Sequence, residues 1–119
     1  MRRTIKQILL MAALCLPFGL ANAATSQTVT TERITIHSPS IAGNLEGNSA
    51  DRGVIVYLPP DYHANPDKRY PVVYALHGYS INNEIWTKEI NTPQTIDNAY
   101  AAGLKGMIIV LPDSRTLHN

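Results

Sequence analysis

Cysteine is nearly missing from this chain. Its 119 residues include one, Cys15, and that residue lies in a stretch that reads as a removable leader. The remainder is therefore expected to have no disulfide framework, no thiolate nucleophile and no cysteine-based zinc site. A lipid attachment at Cys15 is disfavoured by bulky Leu14 before it and by Pro17 close behind. Charge of one sign is also scarce, with 16% charged residues and a formal net charge of +1. That balance excludes a disordered polyelectrolyte and a strongly basic nucleic-acid binder. Long apolar runs are missing too. The longest, Ile8 to Leu20, is interrupted by Pro17 and Gly19 and is too short for a comfortable membrane span, so no stable membrane anchor is expected. No G-x-G-x-x-G, phosphate-loop or H-E-x-x-H pattern occurs, and His37, His63, His77 and His118 lie at no metal-ligand spacing. Neither a cofactor nor a metal is implied.

What is present begins with the leader. Arg2, Arg3 and Lys6 form a basic start, the apolar run follows, and Ala21-Asn22-Ala23 has the small-x-small form of a cleavage site. Residues 1–23 thus read as a secretory signal peptide, and the protein is expected in the periplasm or outside the cell. Residues 24–119 carry seven basic and nine acidic residues, enough chain for part or all of one domain.

Glu32 to His37 alternates polar and apolar residues, with Ile34 and Ile36 on one face, and predicts a half-buried strand. Ser38 to Asp51, rich in glycine and small polar residues, predicts a loop. Gly53 to Leu58 is a β-branched run stopped by Pro59-Pro60-Asp61-Tyr62. Tyr70-Pro71 opens Val72 to Leu76, apolar on both faces and so expected in the middle of a covered sheet. His77 to Asn91 reads as a long loop. A helix is then expected, with Thr92 as N-cap, Pro93 in its first turn and Ile96, Ala99 and Tyr100 as its apolar stripe. Gly103 and Gly106 end it, and Met107 to Leu111 forms a further apolar strand closed by Pro112-Asp113. Two apolar strands separated by such a helix make a βαβ unit with a parallel pair. The order β, β, β, α, β defines an α/β fold.

The informative residues are Val56-Tyr57-Leu58-Pro59-Pro60-Asp61-Tyr62, Tyr70 to Leu76 running into His77-Gly78, Trp86, Ile96-Asp97, Gly103, and Met107 to Asp113. In this order they make the chain resemble a family of α/β-hydrolase esterases. That family includes esterase D (S-formylglutathione hydrolase), secreted feruloyl and acetyl-xylan esterases, and mycobacterial mycolyltransferases. The resemblance covers Glu32 to about Asn119. It implies the N-terminal part of a three-layer α/β-hydrolase fold, incomplete as given, and an exported serine esterase acting through an acyl-enzyme on small-molecule or polysaccharide-linked esters or thioesters.

Acyl transfer requires donors aimed at a developing oxyanion, and a backbone N–H just beyond a buried strand is well suited to that task. By the resemblance, the Tyr79 N–H is one of two such donors. His77-Gly78 read alone is a strand end whose histidine is satisfied by backbone; the whole pattern turns the reading toward the oxyanion site. Gly78-Tyr79-Ser80-Ile81-Asn82 nearly matches the G-x-S-x-G nucleophile elbow, but Asn82 replaces the second glycine. Ser80 is therefore read as a loop serine near the site, contributing to substrate binding along with Trp86 and Ser114. Trp86 has packing as its alternative, and the Asp113-Ser114-Arg115 segment a solvated turn. The family places nucleophile, acid and catalytic histidine after the strand ending at Leu111, and no Ser-Asp-His triad in that order is present, so the chain is expected to stop before the nucleophile. The competing readings are a non-catalytic secreted binding module, for carbohydrate for example, and a decayed fragment.

Overall fold

The computed structural model describes residues 28–118. The expected signal peptide lies outside the described residues. Four strands form one sheet: β1 (Thr30–His37), β2 (Asp51–Leu58), β3 (Val72–Tyr74) and β4 (Ile108–Pro112), with helices α1 (Asn83–Glu89) and α2 (Thr92–Ala101) between β3 and β4. The sheet order is β1-β2-β4-β3. β1 and β2 pair antiparallel from Thr30↔Leu58 to His37↔Asp51, β2 and β4 pair antiparallel, and β3 runs parallel to β4 with Val73 opposite Ile109. The expected parallel βαβ unit is therefore present.

Side chains alternate across a sheet and directly paired residues share a face. Arg33, Ile55 and Leu111 line up on one face, as do Tyr57, Ile109 and Val73. Both helices cover this face. Ile55, Tyr57 and Leu111 pack with Ile96 and Tyr100 of α2 into one buried cluster, flanked by Val29, Ala75, Trp86 and Ile109. Of the expected helical stripe Ile96, Ala99 and Tyr100, the first and last are thus the two that join the buried cluster. Asp97 accepts a 2.6 Å hydrogen bond from the Val29 N–H, which fixes the entry to β1. Across the same face Arg33 Nε reaches Glu84 Oε1 at 2.7 Å and Nη2 reaches Oε2 at 3.2 Å. That hydrogen bond holds the Glu84 carboxyl below its ordinary range. Its stabilisation is therefore present above the usual glutamate pKa and is lost as pH falls through the lowered value. In an exposed pair it amounts to no more than about 1 kcal/mol.

Four expectations are corrected. Residues 77–91 are not one loop, because α1 occupies Asn83–Glu89. Its N-cap is Asn82, whose side chain accepts from the Ile85 N–H at 2.8 Å. Its buried positions are polar, Asn83 and Thr87, so no hydrophobic period announces it. The N-cap of α2 is Asn91, in the left-handed region at φ 45°, and Thr92 is already helical and buried. Ile34 and Ile36 are 44% and 49% exposed, because the helices cover the opposite face of β1. Finally, β3 ends at Tyr74 rather than at Leu76, and among the described residues it has a strand neighbour on one side alone. β4 bonds one of its sides, and the last rung is Ala75 N–H to Val110 C=O at 2.9 Å.

Helix α2 ends as glycine permits. Gly103 takes φ +94°, its N–H bonds to Tyr100 C=O at 2.9 Å, and the Leu104 N–H bonds back to Ala99 C=O at 3.0 Å. This double closure satisfies the last helical carbonyls. The chain then turns through Gly106, where a Cβ would stand 3.2 Å from that of Pro59 and 3.3 Å from the Tyr70 ring. The loop between β1 and β2 is ordered by Asn44, which donates to Ile41 C=O and Asn48 C=O, both at 2.7 Å, and accepts from the Asn48 N–H at 3.0 Å.

On the second face Val54 and Leu58 are buried, but Val72 and Tyr74 at the β3 edge are 47% and 71% exposed, and Leu76 just beyond is 66% exposed. An open apolar edge beside exposed aliphatic flanks favours association over a unique fold. Residues 24–119 produced alone are expected to be insoluble or molten. The check is near-UV circular dichroism with thermal unfolding. A sharp aromatic spectrum and a cooperative transition would contradict the expectation.

Candidate oxyanion site at the ends of β3 and β4

Because β3 and β4 run parallel, their C-terminal ends emerge together at one edge of the sheet, where open α/β sheets hold their ligands. His77-Gly78-Tyr79-Ser80 leaves one strand there and Asp113-Ser114-Arg115 leaves the other. His77, Gly78, Tyr79, Ser80, Ile81, Ser114 and Arg115 line a shallow depression of about 250 Å³. The depression therefore gathers three of the four expected site residues: Tyr79, Ser80 and Ser114. Trp86 is not among them. It is half-buried on α1, packed against the core cluster.

The His77 side chain is 4% exposed and its hydrogen bonds identify its tautomer. The Ser114 N–H lies 2.9 Å from Nε2. A backbone N–H donates, so Nε2 holds the lone pair and the ring proton sits on Nδ1. Nδ1 is 3.0 Å from Gly78 C=O, so that N–H donates to the carbonyl. Ser114 Oγ at 3.1 Å and Asp113 Oδ1 at 3.4 Å also approach Nε2. Serine, histidine and aspartate thus meet here without forming a charge-oriented triad. In a triad the carboxylate takes the proton of one ring nitrogen while the other receives the serine proton. Here serine and aspartate crowd the same nitrogen, whose lone pair already accepts from a peptide N–H. Asp113 Oδ1 is itself engaged by the Arg115 N–H at 3.0 Å.

Tyr79 is 79% exposed, and among the described residues its N–H donates to no acceptor. Ser80 occupies the left-handed region at φ 67°. Two residues, Ile81 and Asn82, separate it from α1, so the segment is nearer to a strand–turn–helix arrangement than the sequence indicates. Among the described residues, however, no base is hydrogen-bonded to Ser80 Oγ.

Asn83, which the sequence reading passed over, ties α1 to β2 and β4 next to Asp113. It is 4% exposed and donates through Nδ2 to Leu111 C=O at 2.9 Å and to Gly53 C=O at 3.2 Å. Gly53 C=O also accepts from the Asp113 N–H at 2.8 Å. Four residues on, Thr87 Oγ1 meets Tyr57 OH at 3.0 Å in the core. These two polar ties, one helical turn apart, seat α1 on the sheet. The sequence signal that could have located them is Asn82-Asn83-Glu84, a cap followed by an acidic first turn.

A strand end with a fixed peptide, a free N–H and a shallow opening is an arrangement for holding an oxygen that gains negative charge. A family model described as "Putative esterase" matches residues 47–116, more than half of the chain, and the chain belongs to that family. Among solved structures it is similar to a ferulic acid esterase at 28% identity and TM-score 0.63, the match covering 74% of this chain and 32% of the other. It is also similar to a serine-to-alanine mutant of the feruloyl esterase module from Clostridium thermocellum complexed with sinapinate (26% identity, TM-score 0.59, 76% and 29% covered). A third similar structure is a ferulic acid esterase from Anaeromyces mucronatus in complex with ferulic acid (34%, 0.56, 73% and 29%). The fold is therefore that of part of an α/β-hydrolase esterase, and the chain spans about a third of the length of these structures.

Replacing Asn83 with alanine removes both hydrogen bonds that tie α1 to Leu111 and Gly53, each worth about 0.5–1.5 kcal/mol, and is expected to destabilise a soluble form of the protein by about 1–3 kcal/mol. Urea denaturation measures this, and an unchanged midpoint would remove Asn83 from the account.

Proposed function

We propose that this chain is the N-terminal part of an exported serine esterase that cleaves carboxylic esters through an acyl-enzyme. In this reading residues 1–23 direct export to the periplasm or beyond, residues 24–119 begin the esterase domain, and the nucleophilic serine, acid and catalytic histidine follow Asn119. The observation that carries it is membership of the esterase family over residues 47–116. The substrates favoured are esters of hydroxycinnamic acids, free or on polysaccharide, because similar structures are named as ferulic acid esterases and two hold sinapinate or ferulic acid.

The contribution of this chain is electrostatic. When a serine attacks the ester carbonyl, the carbonyl oxygen takes negative charge, and the Tyr79 N–H donates to it as one of two backbone donors. A donor of this kind, already oriented, is worth on the order of 10²–10³ in turnover. Ser80 and Ser114 line the acyl-binding depression as polar contacts. Among the described residues no helix is long and apolar enough to cross a membrane. No cofactor enters the mechanism, which uses serine, histidine and backbone donors. The carbohydrate-binding alternative gains nothing from Trp86, whose ring packs against the core.

The full-length protein is expected to hydrolyse an aryl acetate and methyl ferulate and to be inactivated by a serine-directed phosphonate. Ser80→Ala should keep turnover within about threefold, whereas loss of the downstream elbow serine should lower it by about 10⁴-fold or more. Steady-state assays with both substrates decide this. Full activity without the elbow serine, or collapse in Ser80→Ala, would contradict the proposal.

A further inference from the structure

The esterase reading leaves His77 without a catalytic step, yet its side chain is almost fully enclosed at the site, at 4% exposure. We infer that His77 is a positioning residue, an imidazole clamp that aims the Tyr79 N–H; this rests on the function proposed above. The argument turns on one peptide unit. The carbonyl of Gly78 and the N–H of Tyr79 belong to the same planar trans peptide and point in opposite directions. A bond that holds the carbonyl therefore sets the direction of the N–H. His77 Nδ1–H supplies that bond at 3.0 Å, so the Tyr79 N–H faces away from the ring.

The ring is held in turn. The Ser114 N–H donates to Nε2 at 2.9 Å, and Ser114 follows β4, the strand that pairs with β3. This contact fixes both the ring plane and the tautomer, because an acceptor at Nε2 leaves the proton on Nδ1. A chain of donors results: Ser114 N–H to imidazole, imidazole N–H to Gly78 C=O, and Tyr79 N–H to the oxyanion. A peptide whose oxygen accepts a hydrogen bond is polarised and becomes a better donor at its nitrogen. With the side chain 4% exposed, water does not readily replace the ring in either bond. Without the clamp, the peptide after Gly78 is free to rotate, since glycine imposes little restraint. A misplacement of about 1 Å at a reacting centre costs on the order of 10²-fold in rate.

Three variants of the full-length protein separate positioning from a merely structural tie. His77→Ala removes both bonds. The short amide of His77→Asn can still donate to Gly78 C=O but does not reach Ser114. The longer amide of His77→Gln can still accept from the Ser114 N–H but leaves Gly78 C=O without its donor. The expected result is a fall in kcat of about 10²-fold for His77→Ala with KM within about threefold. His77→Asn should recover roughly tenfold of that loss. His77→Gln should restore slow exchange of the Ser114 amide and the melting temperature without restoring kcat. A folded His77→Ala with kcat near the parent value overturns the clamp, as does His77→Gln recovering kcat as well as His77→Asn does. Absence of esterase turnover in the unaltered full-length protein is a different result, which overturns the function itself and this role with it.

Discussion

The parallel pairing of β3 with β4 is the constraint on which the site depends. Parallel strands end at the same edge of a sheet, so the segments after Leu76 and after Pro112 are forced into contact there. β4 is the shared element. It bonds β2 on one side and β3 on the other, and its Leu111 carbonyl receives Asn83 from α1. Strand, helix and loop are thereby referred to one line of backbone. The depression at the strand ends inherits its geometry from that line, and His77 connects its two halves.

Core and site draw on different parts of the same sheet. Ile55, Tyr57 and Leu111 turn toward α1 and α2 and supply apolar burial. The groups near the site are mostly backbone: the N–H of Ser114, the carbonyls of Gly78, Gly53 and Leu111, and the N–H of Tyr79. Such groups are untouched by any substitution short of proline, and they are aimed only as well as their neighbours hold them. The side chains that do the holding, His77, Asn83 and Asp113, are polar and at least partly buried. Burial raises the cost of leaving any of their bonds unmade.

Much of the fold was legible in the sequence because apolar runs bounded by proline and glycine mark strands whatever their surroundings. The runs at Gly53–Leu58 and Met107–Leu111 and the helix after Asn91 are of this kind. Helix α1 was not legible, because Asn83 and Thr87 face the sheet through hydrogen bonds where a hydrophobic stripe would ordinarily stand. The apolar character of Val72 to Leu76 on both faces was legible, and by the resemblance so was the open edge left where its other neighbour is missing; its early end at Tyr74 was not. Residue type reports what a strand is suited to pair with, not whether a partner lies on both sides. At the site, the His77-Gly78 motif pointed to the strand ends where the depression lies. The tautomer of His77 and its link to Ser114 required the register of β3 against β4. Trp86 has a residue type that suits either stacking on a ligand or packing, and only its placement on α1 distinguishes the two.

The chain spans about a third of the length of the esterases it resembles in three dimensions, and the account assigns it the donor half of an acyl-transfer site. That claim requires the nucleophile to follow. The most direct measurement is the coding sequence beyond codon 119 in the source, read to its first stop. The account predicts an open frame containing a G-x-S-x-G elbow and, further on, an acid and then a histidine. A stop codon immediately after Asn119, with the protein made and persisting in that form, would contradict it.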